Sequence, residues 1–236
     1  QKVSPELGYR THRSGPGRVY KPTKELTDMS KGKRLTSTVT SDSTVHLRIE
    51  EFEVPTPGPD EVLIAVEASP INPSDLGLLL AGAHPSTASK SENGLTLSLP
   101  DGAIDALTAR IDQAMPVGNE GAGTVIDTGD EEQARALQGQ IVAVLAGGMY
   151  ATHRIAKARD CLVLQEGTEA IDAASCFVNP LTALGMTETM RLEGHTALIH
   201  TAAASNLGQM LNRICLNDDI DLVNIVRRDE QVELLK

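Results

Sequence analysis

Aromatic residues are scarce in this sequence, which has no Trp, two Phe and three Tyr among 236 residues. A core of this chain must therefore be built mainly from Leu, Ile, Val and Ala. No apolar run approaches the roughly 18–20 residues of a membrane-spanning helix, which argues against an integral membrane protein. The N-terminus has no apolar segment of the kind that directs secretion, so a cytoplasmic location is expected.

Cysteine is also sparse, and Cys161, Cys176 and Cys215 are too few and too scattered for a disulfide framework. No CxxC pair occurs, which excludes a thiolate zinc knuckle, and free thiols are expected. The formal net charge is −11, with 32 acidic and 21 basic residues. This charge makes nucleic acid and anionic membrane surfaces poor partners.

Residues 1–34 differ in composition from the rest of the chain. Gly, Pro, Ser, Thr, Lys and Arg are frequent, large apolar residues are few, and no periodicity is visible. Such a segment buries too little apolar surface to offset the entropy of ordering. We expect a disordered segment or an extension, with Met29 as the natural start; a loosely folded basic arm is the alternative.

From Leu35 to about residue 165 the sequence predicts short β-strands. The strand-like runs are Leu35–Thr40, Val45–Phe52, Glu61–Ala68, Gly121–Ile126 and Gln140–Leu145. Clusters of Gly and Pro separate them, which favours a partly closed, barrel-like β domain. The polar stretch His84–Gly94 predicts a mobile loop, and Asp101–Gln113 predicts a short surface helix.

After residue 165 the apolar residues follow a helical period. Thr168 is expected to cap a helix that has Asp172 in its first turn, and Leu181–Leu192 predicts a second helix. A strand, a helix and a strand are then predicted at Thr196–His200, Leu207–Leu216 and Leu222–Val226. Such a βαβ unit requires a parallel sheet, whose two faces must both be covered. We therefore expect the chain to be cut off within this domain.

The turn after the first of these strands consists mainly of small residues. Those of interest are Ala204, Ser205, Asn206, Leu207 and Gly208. They would let the backbone approach a pyrophosphate, which the next helix favours through its free N–H groups and partial positive charge. The strict GxGxxG pattern is absent, since only its last glycine is present, and an ordinary strand–helix turn is the alternative.

The second parallel strand is followed by Arg227 and Arg228. Enzymes that use NAD usually have Asp or Glu at this point, which accepts hydrogen bonds from the ribose hydroxyls. Two arginines suit a 2′-phosphate instead, because guanidinium groups form charge-assisted hydrogen bonds with phosphate. The sequence therefore predicts NADPH as the cofactor, with solvated charges at the start of a helix as the alternative.

Several motifs, in order, resemble the medium-chain dehydrogenase/reductase superfamily. They are Pro57-Gly58-Pro59-Asp60-Glu61-Val62, Ile71-Asn72-Pro73-Ser74-Asp75, Gly118-Asn119-Glu120-Gly121-Ala122-Gly123, Gly148-Met149-Tyr150-Ala151 and Asn179-Pro180-Leu181-Thr182-Ala183. The resemblance implies an α/β protein with a GroES-like, partly closed β-barrel catalytic domain at residues 35–165. An incomplete Rossmann domain with a doubly wound parallel sheet would follow at residues 166–236. It also implies a homodimer when the protein is full length.

Zinc alcohol dehydrogenases of this superfamily have a cysteine ligand near the position of Ser74 and a histidine at the position of Asn119. Neither ligand is present, and the four-cysteine loop for structural zinc is absent too, so we expect no metal. His153 and His200 remain, but a lone His beside an apolar strand is usually structural. The remaining pattern is similar to quinone oxidoreductases and 2-enoyl thioester reductases, which use NADPH without metal.

The resemblance also implies roles for individual residues. Asn179 and Thr182 would lie near the nicotinamide ribose and ring. Asn72 and Ser74 would line the substrate side as catalytic candidates. Proton delivery would come from solvent or from His84.

The choice of substrate class depends on a missing tyrosine. Enoyl thioester reductases have a proton-donating Tyr shortly after the NPSD stretch, and Leu76–Ala83 contains none. We therefore favour hydride transfer to a quinone or an α,β-unsaturated carbonyl. The NPLTA and AxSNxG stretches resemble enoyl-CoA/ACP reductases, which are the alternative. A non-catalytic NADPH-binding protein is the alternative of another class.

Overall fold

The computed structural model describes residues 31–236. Its twelve strands are β1 (Lys31–Thr40), β2 (Thr44–Glu53), β3 (Glu61–Ala68), β4 (Ser89–Ser91), β5 (Gly94–Ser98), β6 (Met115–Pro116), β7 (Gly121–Thr128), β8 (Ile141–Val144), β9 (His153–Lys157), β10 (Cys161–Val163), β11 (Ala197–His200) and β12 (Asp221–Asn224). Its α-helices are α1 (Pro73–Leu80), α2 (Glu132–Arg135), α3 (Ala170–Ala173), α4 (Val178–Leu192), α5 (Asn206–Asn217) and α6 (Asp229–Leu235). Three short 3₁₀ helices lie at Pro85–Thr87, Ala103–Arg110 and Ala158–Asp160.

The first sheet has five antiparallel strands in the order β4-β5-β2-β1-β6. Strands β1 and β2 form a hairpin in which Val39 lies opposite Val45. Alternate side chains of these strands point to one face, as the two-residue period of a strand requires. That face carries Val39, Val45 and Leu47, which pack with Leu97 into one apolar cluster.

The second sheet also has five antiparallel strands, in the order β10-β8-β7-β3-β9. Strand β3 pairs with β7 on one side and β9 on the other, so its backbone is bonded along both edges. Val62 and Ile64 of β3 are fully buried together with Val142 and Val144 of β8. This is the largest apolar cluster of the β-rich part.

The two sheets meet where β1 approaches the segment before β9. Arg34 and Ala151 form an isolated antiparallel bridge, and the N–H of Leu35 donates to the carbonyl of Tyr150 at 2.8 Å. The strands between residues 31 and 163 do not close into a complete barrel. The predicted β-rich, partly closed architecture is therefore present as two sheets that share a junction.

The segment predicted as a mobile loop is partly β-structure. Within His84–Gly94, β4 and the following β5 form a hairpin that extends the edge of the first sheet. The prediction of a loop was wrong for Ser89–Ser91, because these residues pair with β5, whose Leu97 is buried in the apolar cluster of the first sheet. The predicted helix within Asp101–Gln113 is present as the 3₁₀ helix Ala103–Arg110.

The C-terminal region contains the predicted parallel unit. Strands β11 and β12 pair in parallel, from Ala197 opposite Asp221 to His200 opposite Asn224, and α5 connects them. Helices α4 and α5 pack together through a small cluster that includes Ala183, Leu211 and Cys215. The α/β prediction is therefore confirmed for this part of the chain.

Two boundary predictions need correction. Thr168 does not cap a helix, because the N-cap of the single-turn helix α3 is Glu169. Lys31–Arg34, placed by the sequence in the N-terminal segment, begin β1 because they pair with β2. The rest of that segment, including Met29, lies outside the described residues. In the part of the chain that is described, every helix is too short or too polar to cross a bilayer.

Candidate functional site

Glu120 lies at the centre of a buried polar cluster in which the two parts of the chain meet. Its side chain is fully buried. One carboxylate oxygen, Oε1, accepts a hydrogen bond from Nδ2 of Asn72 at 2.9 Å. The other oxygen, Oε2, accepts from the backbone N–H groups of Phe177 at 2.8 Å and Val178 at 3.1 Å.

These contacts place a carboxylate at the N-terminus of helix α4. The first N–H groups of a helix have no partner within the helix, and its N-terminus carries a partial positive charge. The N-cap residue, Phe177, has no side-chain acceptor, so Glu120 replaces the usual capping group from a distant part of the chain. Glu120 therefore fixes α4 against the β-rich part.

Asn72 connects this carboxylate to the next helix. It is the N-cap of α1 and is 3% exposed. Its backbone N–H donates to Oδ2 of Asp75 at 2.8 Å, and its Oδ1 accepts from Nδ2 of Asn179 at 3.3 Å. The structure thus brings together two predicted site residues, Asn72 and Asn179, that are 107 positions apart in the sequence.

Ser74 lies at the exposed side of the same cluster. Its Oγ accepts a hydrogen bond from Nδ2 of Asn119 at 3.0 Å. The backbone N–H of Asn119 donates to Oδ1 of the buried Asp75 at 2.8 Å. Ser74 and Asn119 are therefore hydrogen-bonded to each other. They lie at or near the positions at which zinc alcohol dehydrogenases have zinc ligands. Among residues 31–236 no group of three His, Cys, Asp or Glu side chains could hold a metal ion.

Tyr150 packs close to this network, although the sequence analysis gave it no role beyond its motif. Its hydroxyl donates to the carbonyl of Pro70 at 3.0 Å. Burial raises the pKa of the Tyr150 phenol, and the negative charge of Asp75 raises it further. Tyr150 is therefore a neutral hydrogen-bond donor at physiological pH.

Cys176 lies immediately before the N-cap of α4. Burial raises the pKa of its thiol, and the charge of Glu120 adds to the effect. The thiolate is the nucleophilic form of cysteine, so a raised pKa makes this side chain unreactive. The chemistry of the cluster therefore consists of hydrogen bonding and charge, without a cysteine nucleophile.

Two further residues of the predicted site, Thr182 and His84, are placed differently. The Oγ1 of Thr182 donates to the carbonyl of Val178, one turn earlier in α4, at 2.5 Å. His84 lies beyond the C-terminus of α1, whereas Asn72 caps its N-terminus, and eight helical residues span about 12 Å. His84 is exposed and hydrogen-bonded to Ser86, with 2.7 Å between Nδ1 and Oγ. The structure does not bring it to the cluster.

The predicted phosphate-binding turn is built around Gly208. Ser205 is the N-cap of α5, and its Oγ accepts from the N–H of Gly208 at 3.1 Å. A Cβ at position 208 would lie 2.3 Å from the carbonyl oxygen of Ala203, a backbone atom that cannot move aside. Glycine is therefore required for the helix to start this close to the strand. Ala204 lies in the turn, and Asn206 and Leu207 form the first turn of the helix, where N–H groups can meet an anion.

Arg227 and Arg228 lie between β12 and α6 and are exposed. Arg228 faces Glu230 at 3.8 Å, a long ion-pair distance between two largely exposed side chains. Within residues 31–236, no carboxylate lies within 4 Å of the Arg227 guanidinium. Because β11 and β12 are parallel neighbours, their C-terminal ends lie at the same edge. The arginines and the start of α5 therefore flank one edge of the sheet.

The functional importance of Glu120 was missed by sequence reasoning. Its motif, Gly118 to Gly123, was recognised as part of a resemblance, but no role followed from it. The partners of the carboxylate come from α1 and from α4, which lies 57 or more positions further along the chain. The signal in the sequence was a Glu at the start of an apolar, glycine-rich strand. Such a Glu is expected to be buried, and a buried carboxylate requires hydrogen-bond partners.

Comparison with known proteins identifies the family. The family model of the alcohol dehydrogenase GroES-like domain matches residues 58–201. The mitochondrial enoyl-[acyl-carrier-protein] reductase of Xenopus tropicalis is 27% identical over 194 residues, which cover 80% of this chain and 48% of that protein. The corresponding protein of Schizosaccharomyces pombe is 26% identical, with 80% and 48% covered. The chain thus spans about half the length of the curated relatives it matches.

Solved structures give the same result. A protein assigned as an NADPH:quinone reductase from Mesorhizobium loti superposes with a TM-score of 0.63 at 29% identity, over 87% of this chain and 57% of that one. The quinone oxidoreductase of Escherichia coli, solved with NADPH, has the same fold, with a TM-score of 0.59 at 19% identity over 86% and 55% of the two chains. This chain belongs to the medium-chain dehydrogenase/reductase superfamily and contains its alcohol dehydrogenase GroES-like domain.

Proposed function

We propose that the protein is an NADPH-dependent oxidoreductase that transfers hydride to a quinone or an α,β-unsaturated carbonyl compound. The observation that carries this proposal is the edge of the parallel sheet, where the N-terminus of α5 and the Arg227–Arg228 pair lie together. The names of similar solved structures, which include NADPH:quinone reductases, support it. Residues 166–236 would then be part of a Rossmann domain.

The residues at this edge fit a dinucleotide phosphate. The close approach of Gly208 to Ala203 matches the last glycine of a dinucleotide-binding turn, which allows the helix to pack closely on the strand. The free N–H groups of Asn206 and Leu207 and the helix dipole favour a pyrophosphate. At the positions of the turn before Gly208, small Ala residues leave room for the backbone to approach the ligand.

The two arginines fit the extra phosphate of NADPH. They follow the second parallel strand, where an NAD enzyme would have an acidic residue. Since Arg227 has no carboxylate within 4 Å among the described residues, its guanidinium is available for a phosphate. Guanidinium–phosphate hydrogen bonds are charge-assisted and can be bidentate, which would give a preference for NADPH over NADH.

The Glu120 cluster would serve the reaction by positioning. The cofactor, when bound, supplies the hydride. Asn72 and Asn179 are held by Glu120 at the junction of the two parts of the chain, and Ser74 with Asn119 lies at the exposed side of this junction. In this proposal, Asn179 and Thr182 contact the nicotinamide ribose and ring. Asn72 and Ser74 line the substrate side, where their fixed amide and hydroxyl groups orient a carbonyl oxygen.

Proton delivery follows from the same geometry. Because His84 lies at the far end of α1, solvent is the better-supported proton source at the cluster. Transfer of hydride and of a proton from water would reduce an α,β-unsaturated carbonyl to its saturated form. A quinone would be reduced to its hydroquinone by one hydride and one proton.

Reduction of an enoyl thioester is the second candidate. It is favoured by the curated relatives, which are named enoyl-[acyl-carrier-protein] reductases. The absence of Tyr from Leu76–Ala83 argues against it. The relatives' names also place those proteins in mitochondria, so the cytoplasmic location predicted for this chain stays a prediction. A homodimer and a domain boundary near residue 165 are further parts of the proposal.

The test compares NADPH oxidation with a quinone, an enone and an enoyl thioester as acceptors under the same conditions. Faster oxidation with 1,4-benzoquinone or a simple enone than with a crotonyl thioester would support the proposal. The opposite order would establish the thioester reductase. Saturable NADPH binding without turnover of any acceptor would show a non-catalytic NADPH-binding protein.

A further inference from the structure

A cavity of about 260 Å³ lies at the junction of the two sheets, away from the edge of the parallel strands. Arg34, Phe52 and Glu53 line it from the first sheet, and His153 and Arg154 line it from β9. The Arg227–Arg228 pair and the turn before α5 do not contribute to its wall. The cavity is therefore separate from the proposed cofactor site.

Two arginines line this cavity, and one of them, Arg154, has no carboxylate partner among the described residues. Arg34 lies over the ring of Phe52, and its closest carboxylate is Glu50 at 3.7 Å. Arg154 donates to the carbonyl of Ala146 at 3.0 Å, and no carboxylate of residues 31–236 lies within 4 Å of it. The Nε atoms of both arginines are buried and make no hydrogen bond within the described part of the chain.

The two charges also repel each other. Burial lowers the pKa of the Arg154 guanidinium, and the positive charge of Arg34 lowers it further. Arginine stays protonated in proteins nevertheless, so both side chains remain cations. The net charge of the whole chain is −11, so acidic residues outnumber basic ones. Within this acidic chain, the lining of the cavity has two arginines and a single carboxylate, Glu53.

His153 adds a third donor. It is 2% exposed, and its Nε2 is buried without a hydrogen-bond partner in the described structure. Its Nδ1 lies 2.9 Å from Oγ1 of Thr152, which already accepts from the N–H of Lys33. The hydroxyl hydrogen of Thr152 is used as well when Thr152 donates it to Nδ1 of His153. The proton of the neutral imidazole is then on Nε2, as an N–H without an acceptor.

We propose that this cavity binds an oxyanion, a phosphate or a carboxylate group, held by Arg34, Arg154 and the Nε2–H of His153. The buried Nε2–H of His153 without an acceptor and the Arg154 guanidinium without a carboxylate both cost free energy, which an oxyanion would recover. Guanidinium groups match the geometry of such oxygens. The volume lies below the roughly 300–1,000 Å³ of typical small-molecule pockets. The ligand is therefore a small anion or the charged end of a longer molecule.

Binding is tested on the whole 236-residue chain with inorganic phosphate and with succinate, each against chloride at the same ionic strength. Titrations followed by the NMR signals of the His153 ring report on this cavity alone. We expect saturable binding of at least one of the two anions with a shift of the Nε2 signal. Phosphate alone, or succinate alone, would identify which oxyanion the site prefers.

Variants of the two arginines separate this site from general attraction of anions. Arg154→Gln and Arg34→Gln should each weaken binding about 10- to 100-fold, as expected for loss of a charge-assisted hydrogen bond. Arg159→Gln removes the same charge from a side chain that is 75% exposed and should leave binding unchanged. Arg154→Lys keeps the charge and should bind better than Arg154→Gln.

Three results would overturn the proposal. They are an absence of saturable binding of both anions, an equal loss of affinity in Arg159→Gln, and saturation without any change at His153. If Arg154→Gln does not fold, the Arg34→Gln variant and the His153 signals of the unmodified chain still decide the question. Retention of the His153 response in an Arg227→Ala/Arg228→Ala variant would exclude binding at the cofactor edge as its source.

Discussion

Asn72 and Glu120 are joined by a buried hydrogen bond of 2.9 Å, from the amide Nδ2 to the carboxylate Oε1, although they lie 48 positions apart in the sequence. The same carboxylate binds the first N–H groups of α4. The Glu120 side chain thus holds together a helix of the β-rich part and a helix of the C-terminal region. The geometry of the candidate site depends on it.

Replacement of Glu120 tests this dependence. Glu120→Leu leaves the N–H groups of Phe177 and Val178 and the amide of Asn72 without acceptors, so we expect it to lower the free energy of unfolding by about 3–5 kcal/mol. Glu120→Gln should cost less, about 1–2 kcal/mol. Its single oxygen can still accept from both backbone N–H groups. Its amide can donate to Asn72 once the amides of Asn72 and Asn179 rotate by half a turn.

Urea denaturation of both variants measures these losses. Glu166→Gln, which removes an exposed carboxylate of the same type, is the control and should change stability by less than about 0.5 kcal/mol. Equal stability of Glu120→Leu and the unmodified chain would show that the carboxylate does not hold α4 in place.

Gly208 and Gly185 provide a matched pair of Gly→Ala substitutions. At Gly208 the new Cβ would meet the Ala203 carbonyl oxygen at 2.3 Å, whereas at Gly185, inside α4, nothing lies within 4 Å. We expect Gly208→Ala to destabilise the C-terminal region and to weaken NADPH binding, because α5 must move away from the turn. Gly185→Ala should instead stabilise the chain by about 0.5–1 kcal/mol, since Ala favours a helix over Gly. Thermal unfolding and NADPH titration of the two variants measure the effects; similar behaviour of both would contradict the close approach.

Most strands, and the alternation of strands and helices in the C-terminal region, could be predicted from the sequence because they depend on local patterns. Leu35–Thr40 and Glu61–Ala68 lie within or match observed strands, since alternating or continuous apolar residues and flanking turn residues define them. The hairpin of β4 and β5 was missed although Asn93-Gly94, a pair frequent in hairpin turns, overlaps the end of its two-residue turn, Glu92-Asn93. The residues around this pair are mostly polar, and their composition led to the prediction of a loop.

The candidate site was predictable only in part. Asn72 and Asn179 were named through a resemblance, and their contact confirms that the motifs meet in space. His84 was chosen by its distance along the chain from Ser74. The eight-residue helix α1 separates His84 from Asn72, and the role of His84 as proton donor stays a prediction. The partners of Glu120 and the donors of the oxyanion cavity come from distant segments, which no local pattern in a single sequence specifies.

Replacement of the arginine pair tests the cofactor assignment. Arg227→Ala/Arg228→Ala removes charge-assisted contacts to the 2′-phosphate of about 1.5–3 kcal/mol each in favourable geometry. We expect a raised NADPH dissociation constant and little change for NADH, which lacks that phosphate. Arg213→Ala removes an exposed charge from α5 and is the control for general electrostatics. If the unmodified protein uses NADH as well as NADPH, the assignment of the 2′-phosphate to these arginines is wrong.

His153 gives a specific pH dependence of stability. Burial lowers the pKa of its imidazole below 6.5 in the folded chain. Below pH 6.5 the unfolded chain therefore binds a proton that the folded chain does not. The stability that comes from this group is present above pH 6.5 and is lost as the pH falls. The loss is at most about 1.4 kcal/mol per pH unit. Arg34, Arg154 and Glu53 are the charged groups that line the same cavity.

Urea denaturation between about pH 7.5 and pH 5.5 measures this dependence, in buffers without phosphate or carboxylate because these would occupy the proposed anion site. His153→Gln cannot take up a proton, so its stability should fall less steeply with falling pH. His84→Gln, at an exposed histidine, should keep the slope of the unmodified chain. Identical slopes for all three proteins would show that His153 is not held in its neutral form.

The last prediction concerns the face of the parallel sheet that α4 and α5 do not cover. Leu198 and Leu222 pack on the helix cluster, but Ile199 is 69% exposed and Val223 is 54% exposed on the other face. A parallel sheet normally has both faces covered. Strand β3, by contrast, is paired on both edges and buries Val62 and Ile64 completely.

We therefore expect backbone amides of Thr196–Lys236 to exchange with solvent faster than those of Glu61–Ala68, because opening the C-terminal region exposes little additional apolar surface. The 236-residue chain should also aggregate through this face as its concentration rises. Hydrogen exchange on the purified chain, with its oligomeric state measured by light scattering, checks both points. Replacing Ile199 and Val223 with Thr should reduce aggregation while leaving exchange in β3 unchanged. Strong protection throughout Leu222–Val226 in a monomer would show that the two parallel strands are stable with one face open to solvent, and the argument from uncovered apolar surface would then fail.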